Sequence, residues 1–257
     1  MPYHNDGYEI QGRFLNQAGY HLYILDHQGT GHSEGDRKYI ERFDHFLTDF
    51  HDWVQFVRRR HTDISTIPNF VIGHSLGGLI AARLAQRYPT LFDGIVLKAP
   101  ALHIDPSAAP LWQRAVAAKL SKWLPRFSLP GTDLKEFTHN MRLKKFVDQD
   151  PLNSAQIPNT ARFGAEVLAA MDAVFQKVGN LCRPMLILHG DQDELTLLSG
   201  SELFVAEATK QTKSEHAPTL KVFRGLRHDF FHEEDFCEEV KKDILTFFDC
   251  IVGARVR

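Results

Sequence analysis

The 257-residue chain predicts an α/β fold: a mostly parallel sheet with helices on both faces and an inserted helical cap. Three observations carry this. Short apolar runs alternate with stretches of helical periodicity. One of those runs passes through a glycine-flanked serine directly into a helix. The alternation breaks once, between residues 101 and about 180, where six prolines separate helical pieces and no strand pattern is visible. The expected organisation is one α/β domain over residues 1–257 with a helical cap at about 101–180.

Taken in order, residues 5–18 have a helical pattern that Gly19 ends. His21 to Asp26 reads as a buried strand. Phe43, Phe46, Leu47, Phe50, Val54 and Val57 recur at helical spacing and predict a surface helix with one buried face. Strands are expected at Phe70–Gly73, Gly94–Ala99, Met185–His189 and Leu220–Phe223. Leu76 to Arg87 is expected to be helical. So is Ser199 to Thr209, where Ser199 and Glu202 have capping-box spacing. A last helix carries Phe236, Val240, Ile244, Phe247, Phe248 and Ile251 on one stripe.

Composition excludes several functions. The apolar fraction is 43%, the charged fraction 24% and the net charge −2, which argues against nucleic-acid binding. Fourteen histidines are scattered without metal-ligand spacing. Cys182, Cys237 and Cys250 are an odd number with no CxxC pair, so a disulfide framework or zinc site is not expected. They are read as packing residues, and a reducing compartment fits them best. No signal peptide or apolar run near 20 residues is visible, so no transmembrane helix is expected. The expected location is cytoplasmic, with peripheral membrane contact. Arg58 to Arg60 is read as a solvated helix end.

The chemistry centres on Phe70-Val-Ile-Gly-His-Ser-Leu-Gly-Gly78, a Gly-x-Ser-x-Gly pattern between a strand and a helix. That turn lifts the serine oxygen above the sheet end, and the glycines remove Cβ atoms that would clash across it. A serine hydroxyl needs a base to take its proton, and the base needs a carboxylate to orient it. Both are available downstream at strand ends. Met185 to His189 leads into Gly190-Asp-Gln-Asp193, and Leu220 to Phe223 leads into Arg224-Gly-Leu-Arg-His228. Asp191 and Asp193 compete for the acid. Asp191 suits the turn, and Asp193 lies further out, able to reach a neighbouring loop. His228 and His232 compete for the base. His228 lies in the loop, and His232 begins the final helix. The candidate triad is therefore Ser75, Asp193 and His228.

Four segments together resemble the monoglyceride lipase and lysophospholipase-like branch of the α/β-hydrolases. They are Asp26-His-Gln-Gly-Thr-Gly-His-Ser-Glu-Gly35, Gly73-His-Ser-Leu-Gly-Gly78, His189-Gly-Asp-Gln-Asp193 and Gly225-Leu-Arg-His228 with Glu233. The resemblance runs from about residue 8 to 250. It implies Ser75 as nucleophile, Asp193 as acid, His228 as base and the Leu76 backbone N–H as one oxyanion donor. It further implies a lipid-like acyl ester as substrate, monoacylglycerol foremost, with no metal or organic cofactor. The Asp26 to Gly35 loop lacks nucleotide-binding spacing and is read as a rigid loop beside the site.

Such hydrolases begin with further strands, the third leading to a His-Gly loop that supplies a second oxyanion N–H. No such motif precedes Tyr3. The expectation is a chain lacking those strands, or one in which Tyr3 to Asp6 supplies a replacement donor; no second oxyanion residue is assigned. In the cap, Leu111, Trp112, Ala115, Val116, Leu120, Trp123 and Leu124 form a broad apolar helical surface. It reads equally as a membrane-touching lid or as a helix packed on the protein's own core. Two other functions stay open: a truncated hydrolase fold acting as a binding module, and an amidase or peptidase with the same triad.

Overall fold

The computed structural model describes residues 8–61, 66–103, 118–129, 140, 145, 149–152, 157–213, 216–229 and 237–256. Four strands lie side by side in chain order, all parallel: β1 (Phe70–His74), β2 (Gly94–Lys98), β3 (Met185–Gly190) and β4 (Thr219–Phe223). Ile72 stands opposite Val96, Val96 opposite Leu186, and Leu188 opposite Lys221. The helices are α1 (Glu9–Gln17), α2 (Phe43–Arg60), α3 (Leu76–Arg87), α4 (Ala161–Gln176), α5 (Leu198–Gln211) and α6 (Cys237–Val256).

Side-chain alternation along the strands decides which helices cover which face. Ile95, Leu97, Met185 and Ile187 join a core with Phe46, Leu47, Leu79, Leu84, Val174 and Phe204, from α2, α3, α4 and α5. Their neighbours Val96, Leu186 and Leu188 join Phe14, Leu15, Val240, Ile244 and Phe248, from α1 and α6. β2 and β3 are buried at every residue, as a sheet covered on both faces requires. Each fully buried Leu or Ile contributes about 1.5–3 kcal/mol.

Four expectations are corrected. His21 to Asp26 is not a strand, and Tyr20 to His27 lies in neither helix nor sheet. Its alternating exposure has the strand period, but a strand exists only where its backbone finds a partner edge, and here it has none among the described residues. Ser199 is not a cap: α5 is capped by Leu197, without a side-chain hydrogen bond, and Ser199 is exposed inside the helix. Cys250 is exposed rather than packed, whereas Cys182 is half-buried with its Sγ 3.1 Å from the Pro89 carbonyl. Arg58 is also more than a solvated helix end, since it donates to the Leu91 carbonyl at 2.7 Å.

Within the expected cap, residues 118–123 are helical, and α4 packs its Ala170 and Val174 into the core beside α3. Leu111 to Val116, Tyr3 to Asp6, His232, Glu233 and Phe236 lie outside the described residues, as does the Cys237 side chain.

Candidate active site

The sequence places a serine between β1 and α3, and the backbone there adopts a conformation side chains rarely tolerate. Ser75 has φ 56° and ψ −120°. Such a geometry costs on the order of 1–3 kcal/mol and persists only where its surroundings enforce it. They do so through the backbone: Ser75 N–H donates to Lys98 O at 3.0 Å, and Ser75 O accepts from Gly78 and Ala101 N–H at 2.9 and 3.0 Å. A Cβ on Gly73 would lie 2.2 Å from the Gly77 carbonyl oxygen, and one on Gly78 would lie 2.7 Å from Pro100. Only glycine fits either place. Leu76 opens α3, and its N–H has no acceptor among the described residues. It points the positive end of the helix dipole at the space above Ser75.

The loops after β3 and β4 meet at Gly190, where a Cβ would stand 2.2 Å from the Leu226 carbonyl oxygen. Asp191 is spent on that junction, accepting from Gly225 N–H at 2.7 Å, with Gly225 at φ 79°. Asp193 faces inward, and its Oδ2 lies 2.8 Å from His228 Nδ1. Both groups are buried, at 5% and 3% exposure. Burial by itself would raise the Asp193 carboxyl. Hydrogen bonds from His189 and His228, the charge interaction with His228 and the Thr196 N–H override it and hold the carboxyl well below the usual carboxylate range. An ionised carboxylate can only accept, so the proton of His228 is on Nδ1 and Nε2 presents its lone pair.

Three residues that the sequence reading gave no role complete this arrangement. Thr196 Oγ1 donates to Asp193 Oδ2 at 2.7 Å and lies 3.1 Å from both His228 Nδ1 and the Ala99 carbonyl. The N–H groups of Leu195 and Thr196 each reach Asp193 Oδ1 at 2.9 Å. His189 Nε2–H donates to Thr196 O at 2.7 Å and lies 3.3 Å from Asp193 Oδ2; its Nδ1 accepts from Ser201 Oγ at 2.8 Å. His74 Nε2–H donates to the His228 carbonyl at 3.1 Å, with the two rings 4.7 Å apart. The signal for Thr196 is its position three residues after Asp193, the spacing of a side-chain-closed turn.

The Asp26 to Gly35 loop is stitched around Asp26. His32 N–H donates to Asp26 Oδ2 at 3.0 Å, Ser33 Oγ to Asp26 O at 2.6 Å, and Arg37 to Gly31 O at 2.6 Å. It shares a cleft of about 20 Å³ with Leu76. Among the described residues no group of acidic, histidine or cysteine side chains is arranged to hold a metal ion. In chemical terms, the sheet carries a serine on a strained turn after β1 and an imidazole oriented by a carboxylate after β4 and β3, with the N-terminal N–H of α3 beside the serine.

Residues 1–235 match the protein family described as serine aminopeptidase, S33. A monoglyceride lipase of Homo sapiens is 31% identical over 231 residues, covering 90% of this chain and 73% of that protein. A monoacylglycerol lipase of Mycolicibacterium smegmatis is 29% identical over 233 residues, covering 90% and 79%. Among solved structures, the monoacylglycerol lipase of Paleococcus ferrophilus is similar with a TM-score of 0.83 and 26% identity, covering 98% of this chain and 91% of that one.

Proposed function

The chain belongs to the α/β-hydrolase family described as serine aminopeptidase, S33, and from that premise we propose that it is a serine ester hydrolase acting on monoacylglycerols. One observation carries the reading: a buried His228–Asp193 pair, 2.8 Å apart, stands at the ends of β3 and β4, in the same parallel sheet whose β1 leads into Ser75. Ser75 Oγ attacks the ester carbonyl carbon while His228 Nε2 takes its proton. The oxyanion develops against the Leu76 N–H. His228 then returns the proton to the departing glycerol oxygen, leaving Ser75 acylated. Water, deprotonated by the same imidazole, releases the fatty acid and restores the serine.

The choice of a lipid ester draws support from the relatives named monoglyceride lipase and from exposed apolar side chains at the described end of the cap. Trp123 is 85% exposed, Leu124 54% and Phe127 51%. Such a cluster suits the interface of a lipid aggregate, where an aromatic ring sits between water and acyl chains. No helix among the described residues is long and apolar enough to cross a membrane. The family description favours a second reading, amide hydrolysis with the same residues. Purified protein presented with a monoacylglycerol, a short aryl ester and an aminoacyl arylamide separates the two. We expect ester cleavage, and its loss in Ser75→Ala by a factor of at least ~1000. Equal rates for the variant and the parent overturn the assignment, and preferential cleavage of the arylamide favours the second reading.

A further inference from the structure

β3 reads Met185-Leu-Ile-Leu-His-Gly190, and its one histidine is fully buried at the end of an apolar run. A buried imidazole must satisfy two ring nitrogens, a demand that an apolar side chain in the same place would not make. His189 satisfies both. Nε2 lies 2.7 Å from Thr196 O, a carbonyl that can only accept, so Nε2 carries a proton. Nδ1 lies 2.8 Å from the hydroxyl of Ser201, itself fully buried. That hydroxyl donates to the Nδ1 lone pair, which fixes both the tautomer and the direction of the ring.

Ser201 stands in the first turn of α5. That turn is pressed against the segment after β2, where a Cβ on Gly200 would lie 2.8 Å from His103 Cβ. The His189 ring therefore braces three pieces: the end of β3, the start of α5 and the loop between them. Within residues 191–197, Asp191, Gln192 and Glu194 are exposed, and the two buried side chains are Asp193 and Thr196. Both are polar, so hydrogen bonds rather than apolar packing hold them. Thr196 gives Asp193 an N–H and a hydroxyl. His189 grips Thr196 from its carbonyl side and stands 3.3 Å from Asp193 Oδ2.

We propose that Ser201 and His189 are a positioning pair for the acid. The Ser201 hydroxyl orients the His189 ring, and the ring holds Thr196 and Asp193 in the direction that His228 Nδ1 requires. Neither residue touches the substrate. The inference rests on the proposed hydrolysis only in so far as His228 is its base.

The test uses three variants of the purified full chain. Ser201→Ala removes the hydroxyl alone. His189→Leu keeps bulk without either polar atom, and His189→Gln keeps a donor near the Nε2 position. The measurements are the thermal midpoint, kcat and KM for a short aryl ester from pH 5 to 9, and the proton NMR signal of His228 Nδ1–H. That signal reports the bond to Asp193 without turnover. In His189→Leu, kcat is expected to fall roughly tenfold or more, and in Ser201→Ala about threefold or more, with KM within about twofold. The acid limb of kcat/KM is expected to move by about half a pH unit or more in both, and the Nδ1–H signal to shift or broaden. His189→Gln is expected to recover most of kcat and a parent-like signal.

A folded Ser201→Ala with unchanged kcat, acid limb and signal overturns the proposal. So does a His189→Gln no better than His189→Leu, which would leave the ring a packing role alone. Should His189→Leu fail to fold, Ser201→Ala and His189→Gln decide. A parent chain inert toward esters overturns the hydrolytic reading instead, because the Nδ1–H signal still decides the positioning pair.

Discussion

Thr196 shows how much of this site depends on a residue that does no chemistry itself. Its hydroxyl is shared among Asp193, His228 and the carbonyl of Ala99, and its backbone carbonyl accepts from His189. Ala99 is itself held at φ 40°, so Thr196 ties the kink after β2 to the loop after β3. Asp193 accepts two backbone N–H groups and the Thr196 hydroxyl besides His228, and a carboxylate held this way stays ionised and fixed in direction. Thr196→Val keeps the shape and removes the hydroxyl. We expect kcat for ester hydrolysis to fall roughly tenfold with KM little changed, because one hydrogen bond to a charged group is worth about 1.5–3 kcal/mol. An unchanged kcat would mean that His228 and Asp193 are positioned without it.

At the scale of elements, two buried histidines mark where the chain leaves regular structure. His74 closes β1 and is wedged against the loop after β4, and His27 follows the unpaired segment. Burial pushes the His74 imidazole down to about 3, and His27 down to about 4. Both are therefore neutral in the folded protein, whereas the unfolded chain protonates them near pH 6.5. Between those values the unfolded state binds more protons, so the stability they provide is complete above pH 6.5 and is lost as pH falls. By pH 5 each costs about 2 kcal/mol. The thermal midpoint should be level from pH 7 to 8 and decline below 6.5, and His74→Gln should reduce that decline. A midpoint unchanged from pH 7 to 5 would contradict the burial of both rings. Asp193 adds nothing in this window, because its carboxyl is held low and its contribution is lost only below about pH 4.

Across the whole molecule, the four strands and the pairing of Asp193 with His228 were legible because both follow from apolar runs and what stands at their ends. Phe70, Gly94, Met185 and the Leu220 run are strands, and Ser75, Asp193 and His228 occupy the turns that follow three of them. The choice of Asp193 over Asp191 was legible for the same reason, since a residue immediately after Gly190 is committed to the turn. Thr196 and His189 were not legible, because their roles arise only when the ends of β2, β3 and β4 converge. The run from His21 to Asp26 misled because periodicity reports burial, not the presence of a neighbouring edge. Ser199 misled because capping depends on backbone geometry that spacing does not reveal. The central claim is that Ser75 is a nucleophile activated by His228. Reaction of the folded protein with a fluorophosphonate, read by intact mass and peptide mapping, tests it most directly. One adduct on the peptide carrying Ser75, absent in Ser75→Ala and strongly slowed in His228→Ala, is the predicted result; no adduct on folded protein, or one that survives Ser75→Ala, would contradict it.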